Sequence, residues 1–171
     1  MKLYLCRHAA AKEFALGGDS QRALTAEGKK DFTRVAAGLA TMNPRIDIIF
    51  TSPCVRTQQT AEILAATLEP PADAAPGHTI PIFVAVELAC GGSPELLLKR
   101  LKSQKHQPQA MIAVGHEPDL SGFLGQLCFN KPGRVRFKKG AVACVDMDAT
   151  LTHGELLFLM QPKQLMALVN P

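Results

Sequence analysis

Two arginines and two histidines stand where short apolar runs of this chain end. Arg7 and His8 directly follow the first run, and His116 follows the fourth. Arg56 lies three residues after the Ser-Pro pair that follows the second run. The planar guanidinium of arginine can bind two phosphate oxygens at once, and helix N-termini at such positions add backbone N–H donors. These residue types therefore predict a phosphate-binding site.

The two histidines could do more than bind phosphate. A neutral imidazole nitrogen can attack phosphorus and form a phosphohistidine, while a backbone carbonyl holds the other ring nitrogen. A second histidine, once protonated, can stabilise the charge on the phosphoryl group during its transfer. This route divides hydrolysis into two displacements and needs no metal. The pattern thus predicts metal-independent phosphoryl transfer, with no cofactor.

The four residues meet only if the apolar runs form neighbouring parallel strands. The order β-α-β-α-β-α-β-α-β-β-α predicts a three-layer α/β/α sandwich with a mostly parallel, mixed sheet. The expected strands cover residues 3–6, 46–50, 80–86, 111–115, 142–147 and 155–160, and the expected helices cover residues 26–42, 55–68, 94–102, 119–128 and 162–168. Ligands of such sheets bind outside the carboxyl ends of the strands, where the polar residues are expected.

Length and composition favour one soluble domain over residues 1–171, with 47% hydrophobic and 20% charged residues. No apolar run approaches the roughly 18 residues of a membrane span, and no secretory signal precedes the first strand, so we expect a cytoplasmic protein without membrane contact. The net charge of +4 favours an anionic ligand. The absence of tryptophan and the single tyrosine argue against binding of single-stranded nucleic acid.

The cysteines show no pairing pattern. They are odd in number, widely spaced and without a CxxC pair, at positions 6, 54, 90, 128 and 144. This spacing argues against a disulfide framework and against a zinc site.

Three short motifs occur in an order that resembles the histidine phosphatase superfamily, whose fold is phosphoglycerate-mutase-like. They are Arg7-His8, Ser52-Pro53-x-x-Arg56-x-x-Gln59-Thr60 and Gly115-His116-x-Pro118. Together the motifs cover residues 1 to about 125. The compact length resembles the SixA branch of phosphohistidine phosphatases, which lack the family's large helical insert. The stretch Asp19-x-x-Arg22-x-Leu24-Thr25-x-x-Gly28 is also similar to that branch.

The resemblance implies that His8 is the nucleophile that becomes phosphorylated. It further implies that Arg7, Arg56 and His116 hold the phosphoryl oxygens. The implied substrate is phosphohistidine in a phosphotransfer protein, with small phosphate monoesters as the alternative. The basic segment 131–139 could attract an acidic phosphoprotein by its field, or it could simply be a solvated loop. The oligomeric state is left open.

Two carboxylates are candidates for a proton donor. Glu87 follows the third expected strand, where the family usually carries its acid, and Asp19 lies in the long loop after the first strand. An imidazole leaving group needs less help from an acid than an alkoxide does. One departure from the family concerns Ala9, which replaces the glycine of the usual Arg-His-Gly motif. We expect Ala9 to restrict the backbone, because alanine tolerates a positive φ poorly.

Three other functions compete with this one. The pair Cys128 and Arg134 has the C-x5-R spacing of cysteine phosphatases, but Cys128 falls at the end of an expected helix. A phosphate-binding module without turnover would use the same pocket, although the presence of His8 and His116 argues against it. A metal-dependent hydrolase would need a carboxylate-rich ligand set, and the chain has no His-Glu-x-x-His motif.

Overall fold

The computed structural model describes residues 1–131 and 135–169. Its strands are β1 (Lys2–Arg7), β2 (Ile48–Thr51), β3 (Ile82–Val84), β4 (Ala110–Gly115), β5 (Val142–Met147) and β6 (Gly154–Met160). Within these described ranges the strands form one mixed sheet in the order β3-β2-β4-β1-β5-β6. The first four strands run parallel, whereas β5 is antiparallel to both of its neighbours.

Helices cover both faces of this sheet. They are α1 (Ala26–Ala40), α2 (Val55–Thr67), α3 (Pro94–Lys102), α4 (Asp119–Phe129) and α5 (Pro162–Ala167). One hydrophobic cluster lies between the sheet and α3 and α4, and a second lies between the sheet and α1, α2 and α5. The three-layer α/β/α prediction is therefore confirmed, without a large helical insert. None of the described helices is long and apolar enough to cross a membrane.

The strands β1 and β4 form the centre of the sheet and place the two histidines. All six residues of β4 are buried, which explains its continuous apolar sequence. The register pairs Arg7 with Gly115, so the next residues, His8 and His116, leave the sheet side by side. The backbone N–H of His8 also donates to the carbonyl of Gly115 at 3.2 Å.

The third strand is shorter than the sequence predicts. It covers only Ile82–Val84, all three residues are exposed, and a short 3₁₀ turn follows at Val86–Leu88. The strand lies at the edge of the sheet and pairs with β2 alone, and Pro81 before it has no N–H to donate. Glu87 consequently lies in the 3₁₀ turn.

The long loop after His8 is closed by the start of α1. Thr25 caps the helix, since its Oγ1 accepts a hydrogen bond from the N–H of Gly28 at 2.9 Å. A β-bridge between Ala11 and Leu24 joins the two ends of the loop. A Cβ at Gly28 would lie 2.2 Å from the carbonyl oxygen of Ala10, so only glycine lets the helix approach the loop this closely.

Candidate active site

Three of the predicted site residues meet at the carboxyl ends of β1, β2 and β4. The ring centroids of His8 and His116 are 5.2 Å apart. Nη2 of Arg56 lies 3.5 Å from Nδ1 of His116. The exposed fractions are only 6% for His8, 4% for Arg56 and 3% for His116. Three charged or ionisable side chains buried together are costly to the fold unless they bind something, which marks this cluster as a functional site.

The geometry of His8 fits a nucleophile. Its Nδ1 lies 2.7 Å from the carbonyl oxygen of Ala9, which can only accept, so Nδ1 carries the proton and Nε2 keeps its lone pair. Burial, followed by the neighbouring positive groups, lowers the pKa of His8 to about 3, although the hydrogen bond to Ala9 opposes the shift. His8 is therefore neutral at neutral pH, with Nε2 free to attack.

The hydrogen bonds of His116 define its tautomer. Nδ1 faces the guanidinium of Arg56, which can only donate, so Nδ1 is unprotonated. Nε2 then donates to the hydroxyl of Ser52 at 2.8 Å. Burial, and secondarily Arg56, lower the pKa of His116 to about 4. A bound phosphoryl dianion would favour the imidazolium form, so His116 can take up a proton as the anion arrives.

Arg56 is fixed by the loop that follows β1. Its Nη1 donates to the carbonyl of Asp19 at 2.6 Å, and its Nη2 donates to the Asp19 carboxylate at 2.8 Å. Nη2 also lies 3.3 Å from Sγ of Cys90. The carboxylate of Asp19 receives a further hydrogen bond from Arg22 at 2.7 Å. Asp19 thus holds Arg56 in place, a role that the sequence alone did not indicate.

Arg7 lies beside this cluster and has an unused donor. Its Nη1 donates to the carbonyl of Phe137 at 2.7 Å, while its Nε is buried and has no hydrogen-bond partner among residues 1–131 and 135–169. Burial lowers the pKa of Arg7, and Glu117 opposes this shift. A buried N–H without a partner costs about 1–3 kcal/mol, and an anion oxygen would remove that cost. Arg7 is thus able to bind an anion.

Comparison with known proteins decides the family. The model of the histidine phosphatase superfamily (branch 1) matches residues 3–77. An uncharacterised protein of Picosynechococcus is 33% identical over 97% of this chain and 99% of its own length. This chain belongs to the histidine phosphatase superfamily. Membership of that superfamily supports phosphatase activity for this chain.

Two solved structures resemble the architecture of this chain. The protein histidine phosphatase SixA complexed with tungstate has a TM-score of 0.81 and 25% identity, covering 96% of this chain and 99% of that one. A SixA protein of Agrobacterium tumefaciens has a TM-score of 0.72 and 23% identity, covering 94% of this chain and 97% of that one. The second likeness concerns the fold alone.

Asp19 is poorly suited to donate a proton. Hydrogen bonds from Arg22 and Arg56 lower the pKa of its carboxyl group, which keeps it ionised. A general acid needs the opposite shift, toward the pH at which it works. Its contacts support a positioning role instead.

Glu87 is held by α3 and not by the histidines. Its Oε1 lies 3.4 Å from Nη1 of Arg100, whose guanidinium carbon lies 5.7 Å above the ring of Phe50. Its Oε2 is buried and has no partner within the described part of the chain. This contact places Glu87 against α3, and its role as proton donor stays a prediction.

Ala9 causes no backbone strain in this chain. Outside glycine, the described residues with positive φ are Asn43, Asn130 and Leu151. Ala9 is not among them, so its conformation suits alanine and the expected restriction does not arise. Its N–H donates to Oγ1 of Thr60 at 3.1 Å, while its carbonyl accepts from His8. The backbone of Ala9 therefore helps to orient the ring of His8.

The cysteine-phosphatase alternative finds no support at Cys128. This residue lies near the end of α4, half-buried, and burial raises its pKa, whereas a nucleophilic thiolate needs a lowered one. Its predicted partner, Arg134, lies outside the described residues. The basic segment 131–139 is described only at 131 and from 135 onward, and there it contacts the site through the Phe137 carbonyl on Arg7.

Proposed function

We propose that this protein is a phosphohistidine phosphatase that acts on a phosphotransfer protein. The observation that carries the proposal is the state of His8: neutral, with Nδ1 engaged by a carbonyl and Nε2 free, 5.2 Å from a second histidine ring. That arrangement suits an attacking nitrogen better than a simple ligand, since a phosphate-binding module gains nothing from a neutral imidazole.

The reaction would proceed by two displacements. In the first, Nε2 of His8 attacks phosphorus and the bond from phosphorus to the substrate imidazole breaks. Arg7, Arg56 and His116 hold the phosphoryl oxygens as charge spreads over them. In the second, water attacks phosphorus, the bond to His8 breaks and inorganic phosphate leaves. His8 returns to its neutral form, so the cycle closes without a metal.

The state of the carboxylates supports phosphohistidine over an alkyl phosphate. Asp19 is ionised by its two arginines, and Glu87 is paired with Arg100. An alkoxide leaving group depends on a proton donor, which contributes typically about 10²- to 10⁴-fold to such reactions. Imidazole leaves more readily, so a site without a ready acid suits it. The SixA structure with tungstate, a tetrahedral oxyanion, is consistent with a phosphoryl pocket in this fold.

Small phosphate monoesters are the second candidate. The observation in their favour is Oε2 of Glu87, which has no partner among the described residues and could carry a proton for a leaving oxygen. In either case we place the enzyme in the cytoplasm, since all five cysteines are free, as in proteins of a reducing compartment.

Trapping the phosphorylated enzyme tests the proposal. The protein is mixed with a ³²P-labelled phosphohistidine protein and, separately, with a labelled alkyl phosphate, then quenched in alkali and mapped. We expect an acid-labile adduct on His8 that is absent from His8→Ala, with a loss of turnover of about 10³-fold or more. The exposed His106→Asn serves as the matched control.

The possible results separate the candidate functions. Faster turnover of the phosphohistidine protein than of the ester supports the proposed substrate, and the reverse order supports monoesters. Label on Cys128, or full activity in His8→Ala, would overturn the mechanism. Phosphate binding without turnover of any donor would leave a binding module.

A further inference from the structure

The structure places two thiols beside His116. A sulfur of Cys54, a sulfur of Cys90 and a ring nitrogen of His116 all lie within 4.8 Å of one another. The three residues come from the start of α2, the loop after β3 and the end of β4, so no sequence spacing could indicate the cluster. Two sulfurs and one imidazole nitrogen are the ligands that zinc prefers.

His116 is already in the form that a metal requires. Arg56 touches both Nδ1 of His116 and Sγ of Cys90, which places Nδ1 on the thiol side of the ring. Nε2 donates to Ser52, so the lone pair is on Nδ1. Metal-binding histidines commonly donate their second nitrogen in this way, which fixes the tautomer and the ring orientation.

Cys54 is buried and Cys90 lies in an exposed loop, so Cys90 is the ligand that can move to complete a metal site. Cys54 is buried and precedes α2, with its N–H directed at Oγ of Ser52. Cys90 is exposed in a loop whose next residue, Gly91, donates its N–H to the carboxylate of Asp119 at 2.8 Å. Two Zn–S bonds of about 2.3 Å in tetrahedral geometry place the two sulfurs about 3.8 Å apart. The Cys90 sulfur therefore needs to move by at most about 1 Å toward Cys54 to bind the ion together with it.

We propose that Cys54, Cys90 and His116 form an inhibitory site for a thiophilic cation, with Zn²⁺ as the ion it suits best. Zinc displaces one proton from each thiol, and the two thiolates cancel its charge, which offsets repulsion by Arg56. Three protein ligands leave one tetrahedral position open. The ion coordinates Nδ1 of His116 and separates this nitrogen from Arg56. His116 and Arg56 can then no longer bind the phosphoryl group together. Inhibition as a consequence rests on the proposed function, whereas binding itself does not.

Metal binding can be tested without any turnover. Tag-free protein with fully reduced thiols is titrated with Co²⁺, whose thiolate charge-transfer absorption reports sulfur ligands, and then with Zn²⁺ by calorimetry. We expect one ion per chain, release of about two protons, and displacement of cobalt by zinc. Cys90→Ser should weaken zinc binding at least about tenfold. Losing a residue that only supports a metal ligand already costs about that much affinity, and Cys90 would be a ligand itself. Cys128→Ser, the matched control on α4, should bind zinc as the natural sequence does.

Activity measurements complete the test. Zinc at one equivalent should inhibit phosphoryl transfer, and a chelator should restore it. The zinc concentration that halves the rate should be at least about tenfold higher for Cys90→Ser than for the natural sequence, with each rate expressed relative to that protein without zinc. Binding that survives in both Cys90→Ser and a folded Cys54→Ser, or that is lost in Cys128→Ser, would overturn the site. If cobalt binds with sulfur absorption but no phosphodonor is turned over, the site stands and the phosphatase proposal fails. If a phosphodonor is turned over but no metal binds, the phosphatase proposal stands and the metal site fails.

Discussion

At the centre of the sheet, β1 and β4 deliver His8 and His116; at its edge, β3 leads to Glu87. All six residues of β4 are buried, every residue of β1 is at least partly buried, and the register of the two strands puts the two histidines side by side. The edge strand has three exposed residues and one neighbour, and Glu87 follows it in a 3₁₀ turn that binds α3. Residues at the centre are placed by the whole sheet, while those at the edge depend on local contacts.

Arg56→Ala should have the largest effect among the changes that sharpen this contrast. The side chain is 4% exposed and contacts both His116 and the Asp19 loop, so its loss removes a proposed phosphoryl ligand and frees the loop. We expect kcat/KM to fall about 10²- to 10³-fold, as for removal of other preorganised charge-stabilising donors. Arg45→Ala, on the surface near Glu69, is the control and should retain full activity. A fall of less than threefold in Arg56→Ala would contradict a central role.

Glu87→Gln tests the edge. If Glu87 is the proton donor, hydrolysis of an alkyl phosphate should fall about 10²-fold, while hydrolysis of phosphohistidine should fall less than tenfold. Arg100→Ala is the matched control, since it removes the ion pair and leaves the carboxyl group. Equal losses on both substrates in Glu87→Gln would remove Glu87 from this role.

The pH dependence of stability tests the burial of His8 at the centre. Its pKa is about 3 in the folded protein, against about 6.5 in an unfolded chain. Between these values the unfolded chain binds the extra proton, so the free energy of unfolding falls as pH is lowered, by up to about 1.4 kcal/mol per pH unit. Above about pH 6.5 this contribution is constant.

Urea unfolding in EDTA between pH 5 and 6.5 measures that slope. His8→Asn should reduce it by up to about 1.4 kcal/mol per pH unit, while His106→Asn should keep it, because an exposed side chain is solvated in both states. An unchanged slope in His8→Asn would show that the imidazole is not buried in neutral form.

Ala9→Gly should have the smallest effect. Ala9 lacks a positive φ, so the family's glycine brings no relief of strain here and adds freedom to the unfolded chain. We expect the free energy of unfolding to fall by about 0.4–1 kcal/mol, with kcat within about threefold of the natural sequence. A gain in stability would mean that the methyl group at position 9 is strained after all.

The sequence predicts the central strands of the sheet and their polar ends better than it predicts the edge strand β3, and the reason is physical. Short, continuous apolar runs fix where buried parallel strands end, and hence where His8, His116 and Arg56 meet. The length of β3 could not be predicted, because an exposed edge strand has no core to define its ends. The contact of Asp19 with Arg56 and the approach of Cys90 to His116 join loops that are distant in sequence, and no local pattern encodes them.

The backbone of His8 is hydrogen-bonded on both sides. The N–H of His8 donates to Gly115 at 3.2 Å, and its carbonyl accepts from the N–H of Gly140 at 3.1 Å. Amide hydrogens in such central positions exchange with solvent only through large-scale opening, whereas those of surface loops exchange by small local fluctuations. The proposed nucleophile is therefore carried by a backbone anchored on both sides, and we expect its amide hydrogen to exchange more slowly than those of the loops around residues 19 and 90.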